Sequence, residues 1–200
     1  IDGNGQTELV QAITGLTKVE SGRILLHGKD ITHSSIKERT DAGIGHIPED
    51  RQLHGLVLDF NLDENLVIHN YYKPPFAHAG VLNKKAIKEN AERLIKEFDI
   101  RSGQGASTPA RAMSGGNQQK AILAREIDRS PDVFIVVQPT RGLDVGAVEY
   151  IHKRIIAERD KGKAVLLVSL ELDEIMDLSD RIAVIFNGEI VGTVDAKATN

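Results

Sequence analysis

The sequence predicts an α/β protein: a mostly parallel sheet with flanking helices, an inserted helical part and a small antiparallel β part. Three observations carry this. Val133–Val137 and Ala164–Val168 are apolar runs without alternation, as strands buried on both faces of a parallel sheet require. A helical pattern separates them and another follows the second, giving the βαβ order of layered α/β folds. The stretch from about Leu62 to Ala112 has helical character and breaks that order, so it reads as an insertion into the α/β core.

The elements follow in order. Thr7–Thr14 is a short helix, apolar at Leu9, Val10 and Ile13, stopped by Gly15. Gly22–Ile31 is a hairpin or edge strand turning at Gly28. Ser34 caps a helix through Thr40, Gly43 ends it, and Ile44–Pro48 is a short strand. Glu49–Asp59 is a polar loop, and Asp63 caps the next helix. Tyr71–Ala79 is irregular. Asn83–Phe98 is helical, with Ile87, Ala91, Leu94, Ile95 and Phe98 on its apolar face. Gly103–Arg111 is a loop, and an amphipathic run covers Asn117–Ser130. Strand Val133–Val137, helix Ala147–Asp160, strand Ala164–Val168, helix Leu172–Leu178 and strand Ile182–Phe186 complete the core. Asn187-Gly188 then turns a hairpin into Glu189–Val194.

Composition narrows the function classes. With 40% hydrophobic and 27% charged residues the 200-residue chain is ordinary for a globular domain. No apolar run approaches the ~18 residues of a membrane span, so a membrane role runs through a partner. Net charge is −4 with acids and bases interspersed, which gives no basic face for nucleic acid. There are no cysteines and the seven histidines lack metal-ligand spacing, so thiolate and His-cluster metal sites are not indicated. The first residue is Ile1 rather than Met, inside a loop, and the chain is read as part of a longer polypeptide.

The chemistry concentrates in four short runs. Ile1-Asp2-Gly3-Asn4-Gly5-Gln6-Thr7 runs into the Thr7–Thr14 helix, with Glu8 in its first turn. Its glycines let backbone N–H groups wrap phosphate, and Thr7 suits Mg²⁺, but Gln6 stands where a phosphate loop carries Lys. Ser114-Gly115-Gly116-Asn117-Gln118-Gln119-Lys120 places a hydroxyl and two glycines at a helix N-terminus, where backbone approaches a ligand closely and the helix dipole favours anions. Val133–Val137 runs into Gln138-Pro139-Thr140-Arg141-Gly142-Leu143-Asp144. Val168-Ser169-Leu170-Glu171 ends the next strand.

These runs together resemble the ATP-binding domain of ABC transporters, a P-loop NTPase-type fold, over essentially the whole chain. The resemblance makes Ser114–Gln118 the signature loop, which covers ATP held by a partner domain. Met113 replaces the family's common Leu and Asn117 its common Gln. The resemblance makes Asp144 the D-loop residue at the domain–domain contact and Glu49 the occupant of the Q-loop position. Two readings of Glu49 stand, an acid that reaches a metal and a solvated loop acid. In this sequence Val137 and Gln138 replace the Asp-Glu pair that holds Mg²⁺ and polarises water, and Leu170 replaces the γ-phosphate His. Nucleotide-binding positions by the same resemblance are Gly3, Asn4, Gly5, Gln6, Thr7 and Glu8.

Phosphoryl transfer is catalysed by positioning and charge, and one lost contact costs ~3 kcal/mol, or ~10²–10³ in rate. Departures at Gln6, Val137, Gln138 and Leu170 therefore predict a degenerate ATP site beside an intact signature. That pattern resembles the second ATPase half of fused bacterial importers for simple sugars and nucleosides, with the Gln-Pro-Thr run nearest the nucleoside branch. The expected organisation is one domain over 1–200 lacking its N-terminal β-strands, with an α/β core at 1–61 and 131–200 and a helical subdomain at 62–130. The resemblance implies ATP and Mg²⁺ as cofactors. It implies a second ATPase domain and membrane permease subunits as partners, the latter docked through Glu49–Leu62. It also implies an extracytoplasmic solute-binding protein acting indirectly, no nucleic acid, and a peripheral place on the cytoplasmic face of the bacterial plasma membrane. Two alternatives stay open: a non-hydrolysing regulatory nucleotide-binding module, and a soluble non-transport ABC protein. Absence of coiled-coil, zinc-binding or basic segments speaks against the second.

Overall fold

The computed structural model describes residues 2–196; Ile1, at the head of the phosphate-loop-like run, lies outside the described residues. The elements in chain order are α1 (Gln6–Thr14), β1 (Leu25–Leu26), β2 (Lys29–Asp30), α2 (Ile36–Asp41), β3 (Ile44–Ile47), α3 (Leu62–Val67), β4 (Ala77–His78), β5 (Val81–Leu82), α4 (Lys84–Glu97), α5 (Gly115–Asp128), β6 (Val133–Val137), α6 (Val145–Asp160), β7 (Ala164–Val168), α7 (Leu172–Leu178), β8 (Arg181–Phe186) and β9 (Glu189–Asp195). A π turn, Arg51–Gly55, follows β3.

β3, β6 and β7 form a parallel sheet in that order, with Ile44 opposite Val133 and Val133 opposite Ala164. Side chains alternate across a strand, so β6 feeds two cores. Phe134 and Val136 pack with Ile47, Ile122, Leu123 and Ile151 on one face. Ile135 and Val137 pack with Val10, Ile31 and Ile44 on the other. With neither face in water, the strand has no place for a polar alternation, which accounts for its sequence. β7 was expected to be interior as well, and the structure corrects this. Among the described residues β7 pairs only with β6, and Val165–Val168 are half-buried because they border a groove of about 630 Å³ shared with β8.

The inserted helical part has its own core of Leu62 and Leu66 from α3, Ala91, Leu94 and Phe98 from α4, and Ala121 and Ala124 from α5. α5 also sends Ile122 and Leu123 into the sheet-side core. It is therefore buried on two sides and joins the helical part to the sheet. α6 ties the same parts: the Tyr150 hydroxyl donates to the Phe98 carbonyl at 2.8 Å, and the Arg154 guanidinium stacks over the Phe98 ring. Small antiparallel pairs β1–β2, β4–β5 and β8–β9 complete the architecture. No helix of the described residues is long and apolar enough to cross a membrane.

Element ends differ from expectation at a few places, each for a local reason. Ser35, not Ser34, caps α2, because its hydroxyl accepts from the Glu38 N–H while Glu38 accepts from the Ser35 N–H, a reciprocal capping box. Asn61 precedes α3, and Glu64 accepts from its N–H at 2.8 Å. Asp63, the expected cap, instead sits in the first turn. The stretch expected to be irregular ends in β4, paired with β5 through a turn at Ala79-Gly80. The polar loop after β3 contains the π turn. α5 and α6 each begin two residues earlier than their apolar patterns, because Ser114 and Asp144 cap them.

Candidate functional site: two glycine loops and the turns that face them

The first glycine loop precedes α1. Gly3 and Gly5 lie in the left-handed region at φ 78 and 106. A Cβ on Gly5 would stand 2.9 Å from the Gly188 Cα, so only glycine permits the β8–β9 turn to close on the loop. The Gly188 N–H donates to the Asn4 carbonyl at 2.8 Å and the Asn187 N–H to Asn4 Oδ1 at 3.2 Å. Inside the loop, two backbone donors are engaged by its own side chains. Asp2 Oδ1 accepts from the Gly3 N–H at 2.8 Å, and Gln6 Oε1 accepts from the Asn4 N–H at 2.9 Å. Gln6 thus turns its amide oxygen back on the loop. Thr7 and Glu8 are exposed in the first turn of α1.

The ends of β6 and β7 meet beside this loop. Val137 is buried against Val10 of α1. Gln138 holds a left-handed backbone at φ 47; its N–H donates to the Val168 carbonyl and its Oε1 accepts from the Leu170 N–H at 3.5 Å. Leu170 and Gln6 line the same groove. The structure therefore brings Gln138 and Leu170 together through a hydrogen bond, with Val137 next to Gln138 against α1 and Gln6 on the groove that Leu170 lines. The glycine turns fit phosphate. For Mg²⁺ the region offers the Thr7 hydroxyl, with no carboxylate at 137 or 138, so this donor set does not fit a metal-assisted hydrolysis step and none is derived at it.

The second glycine loop is the signature run. Ser114 caps α5, its Oγ accepting from Asn117 Nδ2 at 2.8 Å and lying 3.5 Å from the Asn117 N–H. Asn117 Oδ1 accepts from the Arg101 N–H at 2.7 Å, which fixes the amide in place. Gly116 sits against the start of α6, where a Cβ would be 3.3 Å from the Ala147 Cβ and 3.9 Å from Asp144 Oδ2. Asp144 is exposed, and its Oδ1 accepts from the Ala147 N–H at 2.9 Å. Gln118 departs from its neighbours. It is 1% exposed, donates to the Ala110 carbonyl and accepts from Gln52 Nε2, so its side chain braces the loop from inside. Ser114 is exposed, and Gly115, Gly116 and Asn117 are half-buried beside it.

Glu49 pairs with the Arg141 guanidinium in the turn before α6, which commits its carboxylate to that loop. Sequence reasoning missed several residues that position the site. Arg39 is 2% exposed and donates to the carbonyls of Ala12, Ile13, Thr32 and Ser34, holding the C-terminal end of α1. Glu174 is buried and accepts from Thr140 Oγ1 and pairs with His152, both at 2.7 Å. Glu126, 1% exposed, lies among Arg125, Arg129 and His69. Burial opposes ionisation of its carboxyl, but the Arg125 and Arg129 guanidiniums and the contact with His69 hold it well below the usual carboxylate range. Burial pushes the neighbouring His46 down to about 4. Both line a cleft of about 660 Å³ between the sheet and the helical part. The only available signal for these groups was a charged residue inside an otherwise apolar pattern.

Known proteins resemble the chain in fold and sequence. A nucleotide-free ATP-binding cassette from an ABC transporter superposes with a TM-score of 0.79 at 23% identity, covering 98% of this chain and 78% of that one. A dimeric bacterial ABC transporter cassette gives 0.80 at 20% identity, covering 98% and 82%. In sequence, the chain is 59% identical over its whole length to a nucleoside import ATP-binding protein, NupA, of Lactococcus lactis. It is 57% identical to a guanosine import ATP-binding protein, NupO, of Bacillus subtilis, and 41% identical over 95% of its length to a ribose import ATP-binding protein, RbsA, of Oceanobacillus iheyensis. It spans 39%, 39% and 38% of those relatives' lengths. The family profile described as ABC transporter matches residues 2–141, well over half the chain. On the signature geometry, the fold and this match, the chain belongs to the ABC transporter family as an ATP-binding domain.

Proposed function

We propose that this domain belongs to a bacterial importer of nucleosides or simple sugars and serves there as the second, degenerate ATPase half. Its edge Ser114–Asn117 completes an ATP site held by a second ABC ATPase domain on the same polypeptide, with Asp144 at the contact. ATP and Mg²⁺ are the cofactors, and the competent site is the partner domain's. Permease subunits dock through the 49–62 segment, an extracytoplasmic solute-binding protein delivers solute to them, and the assembly sits peripherally on the cytoplasmic face of the plasma membrane. The 1–61 and 131–200 core and the 62–130 helical subdomain act as the two lobes.

One observation carries this reading. The signature loop keeps its cap, both glycines and an exposed Ser114, while the side chains at positions 6, 137, 138 and 170 carry no charge for phosphoryl transfer. The nucleoside import relatives support the solute class. The test is Ser114→Arg in the complete importer, where ATP turnover and uptake are expected to collapse. Survival of both overturns the reading.

A second reading has support from the left-handed Gly3 and Gly5, which keep a phosphate-wrapping turn. In it the domain holds ATP without hydrolysing it and regulates its partner. Titration of the full-length protein with ATP separates the two: a second, non-hydrolysed equivalent bound at micromolar concentration favours the regulatory role.

A further inference from the structure

We propose that Arg51 is a positioning residue that sets the signature loop and the 141–144 turn relative to each other. The proposal rests on the signature loop serving a nucleotide, and adds what places it.

Arg51 opens the π turn, and Asp50 anchors that turn by accepting from the N–H groups of Gln52 and Leu53 at 2.9 Å each. A turn held at its first residue aims the next side chain. Arg51 Nη1 donates to the Arg141 carbonyl at 2.9 Å. Its Nη2 lies 2.9 Å from where a Gly115 Cβ would stand and 3.8 Å from the same point on Gly142. One guanidinium therefore rests between the signature loop and the turn that leads to Asp144. Arg51 Nε is buried without a hydrogen-bond partner, so the side chain is held there by its Nη1 bond and by packing. The adjacent Gln52 grips the same helix one turn on, at Gln118, and Glu49 pairs with Arg141 from the other side. Three links, from Glu49, Arg51 and Gln52, thus run from the 49–52 segment to the signature helix and the 141–144 turn. A displacement of that segment moves the signature loop and the Asp144 turn together. A planar, forked cation spans the two loops in a way the compact ammonium of Lys does not.

The experiment uses the complete importer reconstituted with its permease, with ATP turnover measured against ATP concentration. Arg51→Ala is expected to lower kcat about ten- to hundred-fold with KM for ATP within about two-fold, since misplacement of a site group acts on the reacting geometry. Arg51→Met keeps the packed stem, guards against misfolding and is expected to lose as much; Arg51→Lys recovers part. Gly115→Ala alone is expected to lose kcat comparably, because its methyl displaces the guanidinium from its place between the loops. The double variant Arg51→Ala/Gly115→Ala is expected to be no worse than Arg51→Ala, the non-additivity of groups in contact. Hydrogen exchange at residues 114–118 gives a readout independent of turnover, and is expected to quicken in Arg51→Met. Wild-type kcat in Arg51→Met, unchanged exchange at 114–118, or multiplying losses in the double variant would overturn the proposal. If Ser114→Arg abolishes turnover while Arg51→Met does not, this inference alone falls and the signature reading stands.

Discussion

The loop before α1 and the loop before α5 use the same backbone device with opposite results. Each places glycines at a helix N-terminus. Before α5, the cap is an exposed Ser whose hydroxyl satisfies the helix, and the half-buried glycines are backed by Arg51 and Ala147. Before α1, the cap is Gly5 without a side-chain bond, and Asp2 and Gln6 turn back to take the loop's own N–H groups. In the proposed reading, backbone shape alone does not make a phosphate site competent; the side chains at positions 6, 137, 138 and 170, none of them charged, decide it.

The largest expected effect breaks the comparison on the α5 side. Ser114→Arg puts a long cation on the exposed Ser114 position and is expected to reduce ATP turnover of the proposed importer by at least about 10²-fold, the scale of losing one charge-stabilising contact. Next is the charge cluster that anchors α5. Glu126→Ala leaves the buried Arg125 and the half-buried Arg129 without their carboxylate, and a loss of about 3–5 kcal/mol in chemical denaturation is expected.

A smaller effect is set by pH. His46 is neutral in the folded protein and its affinity for protons is depressed to about 4, whereas the unfolded chain binds a proton near the ordinary 6.5. Stability from this group is thus complete above pH 6.5 and is lost as pH falls from 6.5 to 4, by about 3 kcal/mol at the lower end. Glu126, also depressed, adds the same sign only below its own ordinary value of 4.5. Denaturation midpoints measured between pH 7 and 5 isolate the histidine, and His46→Asn is expected to flatten that slope. The smallest effect sharpens the α1 side. Gln138→Glu restores one acid among four departures, and turnover of the importer is expected to stay within about two-fold, since Gln6, Val137 and Leu170 still supply no charge. A gain of ten-fold in the same kinetic assay would show a site one residue from competence.

Much of this was legible beforehand because it depends on neighbours in sequence. Val133–Val137, Ala164–Val168 and Leu172–Leu178 form over the expected residues. Gly15 ends α1 in a left-handed cap. Local rules failed where two caps competed a residue or two apart, as at Ser34 and Ser35 or Asn61 and Asp63, because the winner depends on which carboxylate reaches which N–H. They also failed for the β4–β5 hairpin, whose strands are two residues each and too short for any periodicity. Within the site, the runs 3–8, 114–118 and 138–144 could be found because their chemistry is contiguous. Gln118 could not be told from Asn117 without seeing that the helix turns it inward.

By itself, then, the sequence determined the layered α/β fold, the two glycine loops and the four uncharged replacements, since periodicity, caps and residue chemistry act over a few positions. Tertiary structure alone decided which of these groups meet. Arg51 and Arg141 are ninety residues apart in the chain yet share a hydrogen bond. Glu126 became a buried anion because α5 packs on two cores at once, and β7 became a half-buried strand because a groove, not another strand of the described residues, lies beside it. Burial and long-range contact are properties of the closed packing, which no local pattern encodes.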